Sequence, residues 1–285
     1  MSHPALWLGA LGLSALAGVA LAHAYTFEVN CHEHGLPGLL SPLRVVQLSD
    51  LHYGSYIGRG SVRAWVDAAL ALRPDAVLVT GDFVDKRGVI PLQPLFGELA
   101  RLRAPLGVWG VWGNHDHAHF RRVAQREGRS IETARGAFEA DLRRSGIRIL
   151  HNEGVTLRDD LFLAGVDDLR WGSVSLGSAL GHAPVGGAVL LMSHTPDLLP
   201  EVPGRVGLTL CGHTHGGQVC LPGPWPLVTS SRFGRRFAFG FVRGPAPGFV
   251  SRGLGVTTLP LRLNCLPEVV VFDFVPGGGR QELEA

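Results

Sequence analysis

With 285 residues, 46% of them hydrophobic and 18% charged, the chain can bury one large core and is neither a disordered nor a fibrous sequence. A formal charge of +2 is too small for a dedicated nucleic-acid binder, so no nucleic-acid partner is expected. Four scattered cysteines (Cys31, Cys211, Cys220, Cys265) without a C-x-x-C pair argue against a disulfide framework and a zinc knuckle.

The chain opens on an almost unbroken apolar run from Ala5 to Ala22, which reaches the lower length limit for a bilayer-spanning helix. Residues 1–24 are therefore expected to form an N-terminal membrane anchor. Ala22-His23-Ala24 also resembles a signal-peptidase site, so secretion after cleavage is the alternative, weakened by the lack of a basic n-region. No Lys or Arg precedes Arg44, which leaves the membrane side uncoded. Residues 25–42 read as a linker that can add an edge strand through YTFEVN, and residues 43–285 as one domain.

Within that domain LRVVQLS is a strand, SVRAWVDAALALR a helix ended before Pro74, and DAVLVTG a second strand. PLQPLFGELARLR reads as a helix and VWGVWG as a third strand. His117 and His119 are expected in an exposed loop, followed by a helix over 131–145 that Gly146 ends. Short strands then dominate: IRILHN, GVTLRD, LFLAGVDD, AVLLMS, VGLTLCG, RRFAFGFVR and EVVVFDFV. Alternating βα units followed by strand-rich pairing predict an α/β fold with two facing sheets flanked by helices.

Five of the strands end on metal-ligand residue types: Asp50, Asp82, Asn114, His194 and His213. In open α/β sheets, ligands gather beyond the carboxyl ends of the strands. Asp50/His52 and His213/His215 are i, i+2 pairs, which in extended backbone project to one side. Gly81, Gly113 and Gly212 stand directly before Asp82, Asn114 and His213, where the missing Cβ permits sharp turns and close approach. Each residue alone has an ordinary reading: a helix N-cap for an Asp, a turn for Asn114, a hydrogen-bonded core position for a His. Together they make one shared site the economical reading.

The ordered set D-x-H, G-D-x-x-D, G-N-H-D, His194 and G-H-x-H resembles the calcineurin-like metallophosphoesterase family from about Arg44 onward. GHTHGGQ (Gly212 to Gln218) and RGLGVTTLPLRLNCLPE (Arg252 to Glu268) also resemble a membrane-associated bacterial branch with phosphodiesterase or UDP-2,3-diacylglucosamine hydrolase assignments. The resemblance implies a four-layer α/β/β/α sandwich and two divalent metal ions. Asp50, His52, Asp82 and His215 would hold one ion; Asp82, Asn114, His194 and His213 would hold the other. This carboxylate, imidazole and amide set suits Mn, Fe or Zn. His115 would stabilise the transition state or protonate the leaving oxygen, Asp116 would orient it, and Asp85 would support the site from behind. Gln218, Arg252 and Arg262 are candidates for the substrate cleft.

The implied activity is phosphodiester or diphosphate hydrolysis on a small or lipid-linked substrate, at a bacterial inner membrane. A phosphoprotein phosphatase and a catalytically silent metal-binding member are the alternatives. Between Glu201 and Glu268 there are seven arginines and no acidic residue. That bias fits phosphate or an anionic membrane, or a solvated surface in a chain whose one lysine is Lys86.

Overall fold

A computed structural model describes residues 4–87, 90–223 and 225–277, with backbone alone for residues 4–13. Helix α1 (Pro4–His23) runs into strand β1 (Glu28–Leu36). The first sheet continues with β2 (Leu43–Leu48), β3 (Ala76–Val79), β4 (Val108–Gly110) and β5 (Ile147–Ile149). Its helices are α2 (Arg59–Ala71), α3 (Gln93–Leu99), α4 (Asn114–Glu127) and α5 (Ile131–Arg144). The second sheet contains β6 (Glu153–Arg158), β7 (Leu161–Gly165), β8 (Ala188–Met192) and β9 (Leu208–Cys211), with α6 (Leu176–Leu180) outside it. A hairpin of β10 (Cys220–Leu221) and β11 (Trp225–Pro226) follows, then β12 (Gly240–Val242), β13 (Gly248–Val250) and β14 (Glu268–Pro276).

Strand order is β1-β14-β2-β3-β4-β5 in one sheet and β12-β13-β9-β8-β7-β6 in the other. β2 to β5 run parallel, as do β7, β8, β9 and β13. Such strands are buried on both faces and read as continuous apolar runs; β3, β7, β8 and β9 are fully buried along their length.

Alternate residues point to different layers. Val46, Leu48, Val77 and Val79 pack outward against Trp65, Leu95, Phe120 and Phe138 of the helices. Val45, Leu78 and Trp109 pack inward against Leu163, Leu190, Leu210 and Phe249 of the second sheet. Beyond that sheet, Phe162, Val189 and Leu191 meet Ala179 and Leu180 of α6 and Leu198. The layers thus follow one another as helix, sheet, sheet, helix.

The edge strand allowed for within the 25–42 segment is present, shifted to Glu28–Leu36, where β1 pairs with β14 over nine positions at the sheet edge. One expectation changes here. His117 and His119 lie on α4, not in a loop, and are only 6% and 5% exposed. The G-N-H-D motif is itself the first turn of α4, whose Gly128 cap adopts the left-handed conformation at φ 64°. Burial lowers the His119 pKa to about 4.

The described residues do not support the expected membrane-spanning helix. Pro4–His23 is helical, but among the described residues no helix is long and apolar enough to cross a membrane. The first half of the expected anchor, as far as residue 13, lies outside the described side chains. The last turns of α1 carry half-exposed Leu16, Val19 and Leu21.

Candidate metal centre

The seven proposed ligands come from the carboxyl ends of strands in both sheets. Asp50 and His52 follow β2, Asp82 follows β3, and Asn114 follows β4; His194 follows β8, and His213 and His215 follow β9. Five of them adopt positive φ: Asp50 (53°), His52 (46°), Asp82 (54°), His213 (74°) and His215 (53°). The i, i+2 pairs are therefore not extended, as their spacing suggested; each pair converges through left-handed turns. Non-glycine residues in that region are uncommon and strained, and such strain concentrates at functional sites.

The glycines act as the sequence implied. A Cβ on Gly113 would lie 2.2 Å from Asp82 Oδ1, and one on Gly212 would lie 2.3 Å from Asp50 Oδ2. Only glycine lets these turns seat against the carboxylates.

The donor atoms form two touching sets. In the first, His52 Nε2 is 2.9 Å from His215 Nε2 and 3.4 Å from Asp82 Oδ2, and His215 Nε2 is 3.4 Å from Asp50 Oδ1. In the second, His194 Nε2 lies 3.2 Å from Asn114 Oδ1, 3.2 Å from His213 Nδ1 and 3.3 Å from Asp82 Oδ2. Donors about 2 Å from a shared cation stand at about such mutual distances. Asp82 Oδ2 belongs to both sets. Its other oxygen, Oδ1, accepts the His115 backbone N–H at 2.7 Å.

Supporting contacts aim these atoms. His194 Nδ1 donates to the Thr80 carbonyl at 2.8 Å, which turns Nε2 toward the cluster. Asp50 accepts the Ser49 hydroxyl and the His213 amide, tying the two sheets together at the site. All the ligand carboxylates and imidazoles are buried, a composition that calls for a cation.

The charges respond to one another. Burial would raise the Asp82 pKa, but His194 and His115 outweigh it and hold the carboxyl well below its usual range. Burial opposes a proton on His194, yet Asp82 raises its pKa to about 10. Burial, then the neighbouring His194, lowers His213 to about 3.

His115 sits 6% exposed beside the cluster, its Nδ1 3.4 Å from Asp85 Oδ1. Burial lowers its pKa, against the pull of Asp82. The carboxylate beside His115 is thus Asp85 rather than Asp116. Asp116 instead accepts the backbone N–H groups of Asp82, Gly113 and Val84, and so clamps the Asp82 and Asn114 turns. Burial and the Asp82 charge push its pKa well up. The G-D-x-x-D spacing held the signal for Asp85.

The three proposed substrate residues are engaged elsewhere. Arg262 is fully buried, with Nη2 donating to the carbonyls of Arg252, Gly253 and Gly255 and lying 3.2 Å from His215 Nδ1. Arg252 pairs with Glu28 and Glu268. Gln218 accepts the Thr257 amide and donates to the Thr257 carbonyl. An enclosed guanidinium cannot reach a substrate head group; Arg262 supports His215 instead.

Sequence comparison agrees with this geometry. The calcineurin-like phosphoesterase sequence profile matches residues 43–217. The chain belongs to that family. This metallophosphoesterase is 32% identical to the uncharacterized metallophosphoesterase YkuE of Bacillus subtilis, over 93% of each chain. It is 28% identical to the UDP-2,3-diacylglucosamine pyrophosphatase LpxG of Chlamydia trachomatis, over 79% of each. It is 27% identical to the phosphodiesterase YaeI of Escherichia coli, over 82% of this chain and 83% of that one. The metallophosphoesterase is accordingly an enzyme of the phosphoester hydrolase class, with clustered Asp and His groups able to bind metal.

Proposed function

We propose that the protein is a dinuclear-metal phosphodiesterase or pyrophosphatase acting on a small or lipid-linked phosphate substrate, tethered to a membrane by its N-terminal helix. The observation that carries the dinuclear reading is Asp82 Oδ2, 3.4 Å from His52 Nε2 and 3.3 Å from His194 Nε2. Asp50, His52, Asp82 and His215 would hold one divalent ion, and Asp82, Asn114, His194 and His213 the other, with Mn, Fe or Zn equally suited to the donors. When bound, such a pair supplies an activated water and neutralises charge on the phosphoryl oxygens.

The chain's own groups do the rest. Asp82 would offer the same oxygen, Oδ2, to both ions, while the His115 amide donates to Oδ1 and fixes the carboxylate. The Lys86 backbone N–H donates to His115 Nδ1 at 3.4 Å, with Asp85 Oδ1 beside it, so in the neutral ring Nε2 carries the proton and can donate to a phosphoryl or leaving oxygen. Asp116 keeps the Asp82 and Asn114 turns in register by binding their backbone amides. No side chain is required as a covalent nucleophile.

The name of the LpxG relative supports a lipid-linked diphosphate as the substrate class, and that of YaeI supports a diester. The apolar run Ala5–Ala22 supports the tether. The test is a panel of an aryl phosphomonoester, an aryl phosphodiester and a nucleoside diphosphate-linked lipid, offered to metal-reconstituted protein. Cleavage of the diester or diphosphate in preference to the monoester is expected. Cleavage of the monoester alone would overturn the reading.

A further inference from the structure

We propose that the β10–β11 hairpin and the Leu259 loop seat the protein on an anionic lipid bilayer and so set the metal centre at head-group level. This deepens the reading of a membrane-tethered enzyme, but its evidence is separate from the chemistry of the site. The surface is apolar and open: Leu221, Trp225, Leu227, Val228 and Leu259 are 50%, 50%, 57%, 73% and 55% exposed. Apolar side chains this exposed, carried by two loops bonded to each other, mark an interaction site.

Its position links the tether to the site. The Leu227 amide bonds to the Val219 carbonyl, and Val219 bridges to Leu263. Gln218 holds the Thr257 amide and carbonyl and the Leu261 carbonyl, so the hairpin base and the Leu259 loop move together. The Arg262 amide donates to the Ala20 carbonyl at 2.9 Å, joining that loop to the last turns of α1. On the other side, a Cβ on Gly217 would lie 2.6 Å from Pro226 Cβ, so the hairpin packs directly on the turn that follows His215. Apolar helix, apolar loops and metal ligand thus form one continuous unit.

Charge selects the occupant. The Arg235 guanidinium lies 3.6 Å over the Trp225 ring, and Arg236 is exposed on the same turn. Arg232, also exposed, is partly offset by Glu201 at 3.8 Å. No Asp or Glu occurs between Glu201 and Glu268. Aromatic, aliphatic and arginine side chains together suit the head-group boundary of an anionic leaflet.

The test uses full-length protein with Cys31→Ser, because Cys31 is the exposed thiol and the other three are buried. A single environment-sensitive fluorophore is attached at Val228→Cys or, for comparison, at Val185→Cys. Val185 is fully exposed and precedes β8 at the end away from His194. In phosphatidylglycerol-containing vesicles, the label at 228 should shift to the blue and lose several-fold in iodide quenching, while the label at 185 stays quenchable. Arg235→Glu should weaken that protection. Equal quenching at both positions in vesicles would overturn the proposal, because the tether alone would then hold the protein with this face in water. Protection in detergent that grows with protein concentration would assign the surface to a second copy. Protection seen only on adding a diphosphate-linked lipid would assign it to an acyl chain. Neither label reads hydrolysis, so failure of the proposed activity would leave these outcomes unchanged.

Discussion

At the residue scale the site depends on a few atoms with no room to move. His115 touches the cluster without belonging to either donor set. His115→Ala should therefore keep metal content close to wild type, while turnover falls about 10²–10⁴-fold, as for loss of one acid–base group. The loss should be smaller with a nitrophenolate leaving group than with an alkoxide. Equal losses would show that His115 does not serve the leaving oxygen. Gly212→Ala tests the opposite kind of constraint, because the new methyl would lie 2.0 Å from Ser49 Oγ and 2.3 Å from Asp50 Oδ2. We expect loss of bound metal and roughly 1–3 kcal/mol of stability, measured by elemental analysis and denaturant unfolding. Unchanged values would mean that the turn can relax. The ligand types were legible in the sequence because each caps a short apolar run. The roles of Arg252 and Arg262 were not. Whether an arginine faces solvent, buried backbone carbonyls as Arg262 does, or paired glutamates as Arg252 does depends on tertiary packing, and charge counting along the chain cannot register it.

At the element scale, α2 and α3 are tied together by one carboxylate. Glu98 of α3 is 1% exposed and accepts from Arg59 and Arg63 of α2 and from Arg101. Burial alone would raise its pKa, but these arginines lower it to about 2 from 4.5. A depressed carboxyl pKa stabilises the fold above the unfolded value and loses that contribution as pH falls through the folded one. Stability should thus fall between about pH 4.5 and 2 in the wild type, with a shallower slope in Glu98→Gln. At neutral pH the variant should be less stable by roughly 1–3 kcal/mol. Identical pH profiles for the two proteins would remove Glu98 from the account. The helices themselves were readable from apolar periodicity, as α2 and α5 illustrate. The G-N-H-D segment was not, since its histidines look like a polar loop until Phe120 and Phe138 enclose His119 on α4. β1 was equally hard to delimit, because its register comes wholly from β14, more than two hundred residues later.

At the scale of the whole molecule, the proposed ligands are drawn from both sheets. Asp50, His52, Asp82 and Asn114 follow strands of the first sheet, and His194, His213 and His215 follow strands of the second. Bound cations would therefore link the sheets, and anything that binds only the folded state stabilises it. Removing metal with a chelator should lower the melting temperature by about 5–10 °C, with recovery on adding Mn²⁺. A melting temperature indifferent to metal would separate the site from the fold. The central claim is that one oxygen of Asp82 serves both halves of the cluster. Elemental analysis of the Asp82→Ala protein beside wild type tests it most directly. About two ions per wild-type chain are expected, with loss of both together in the variant. Full retention of either ion by Asp82→Ala would contradict it.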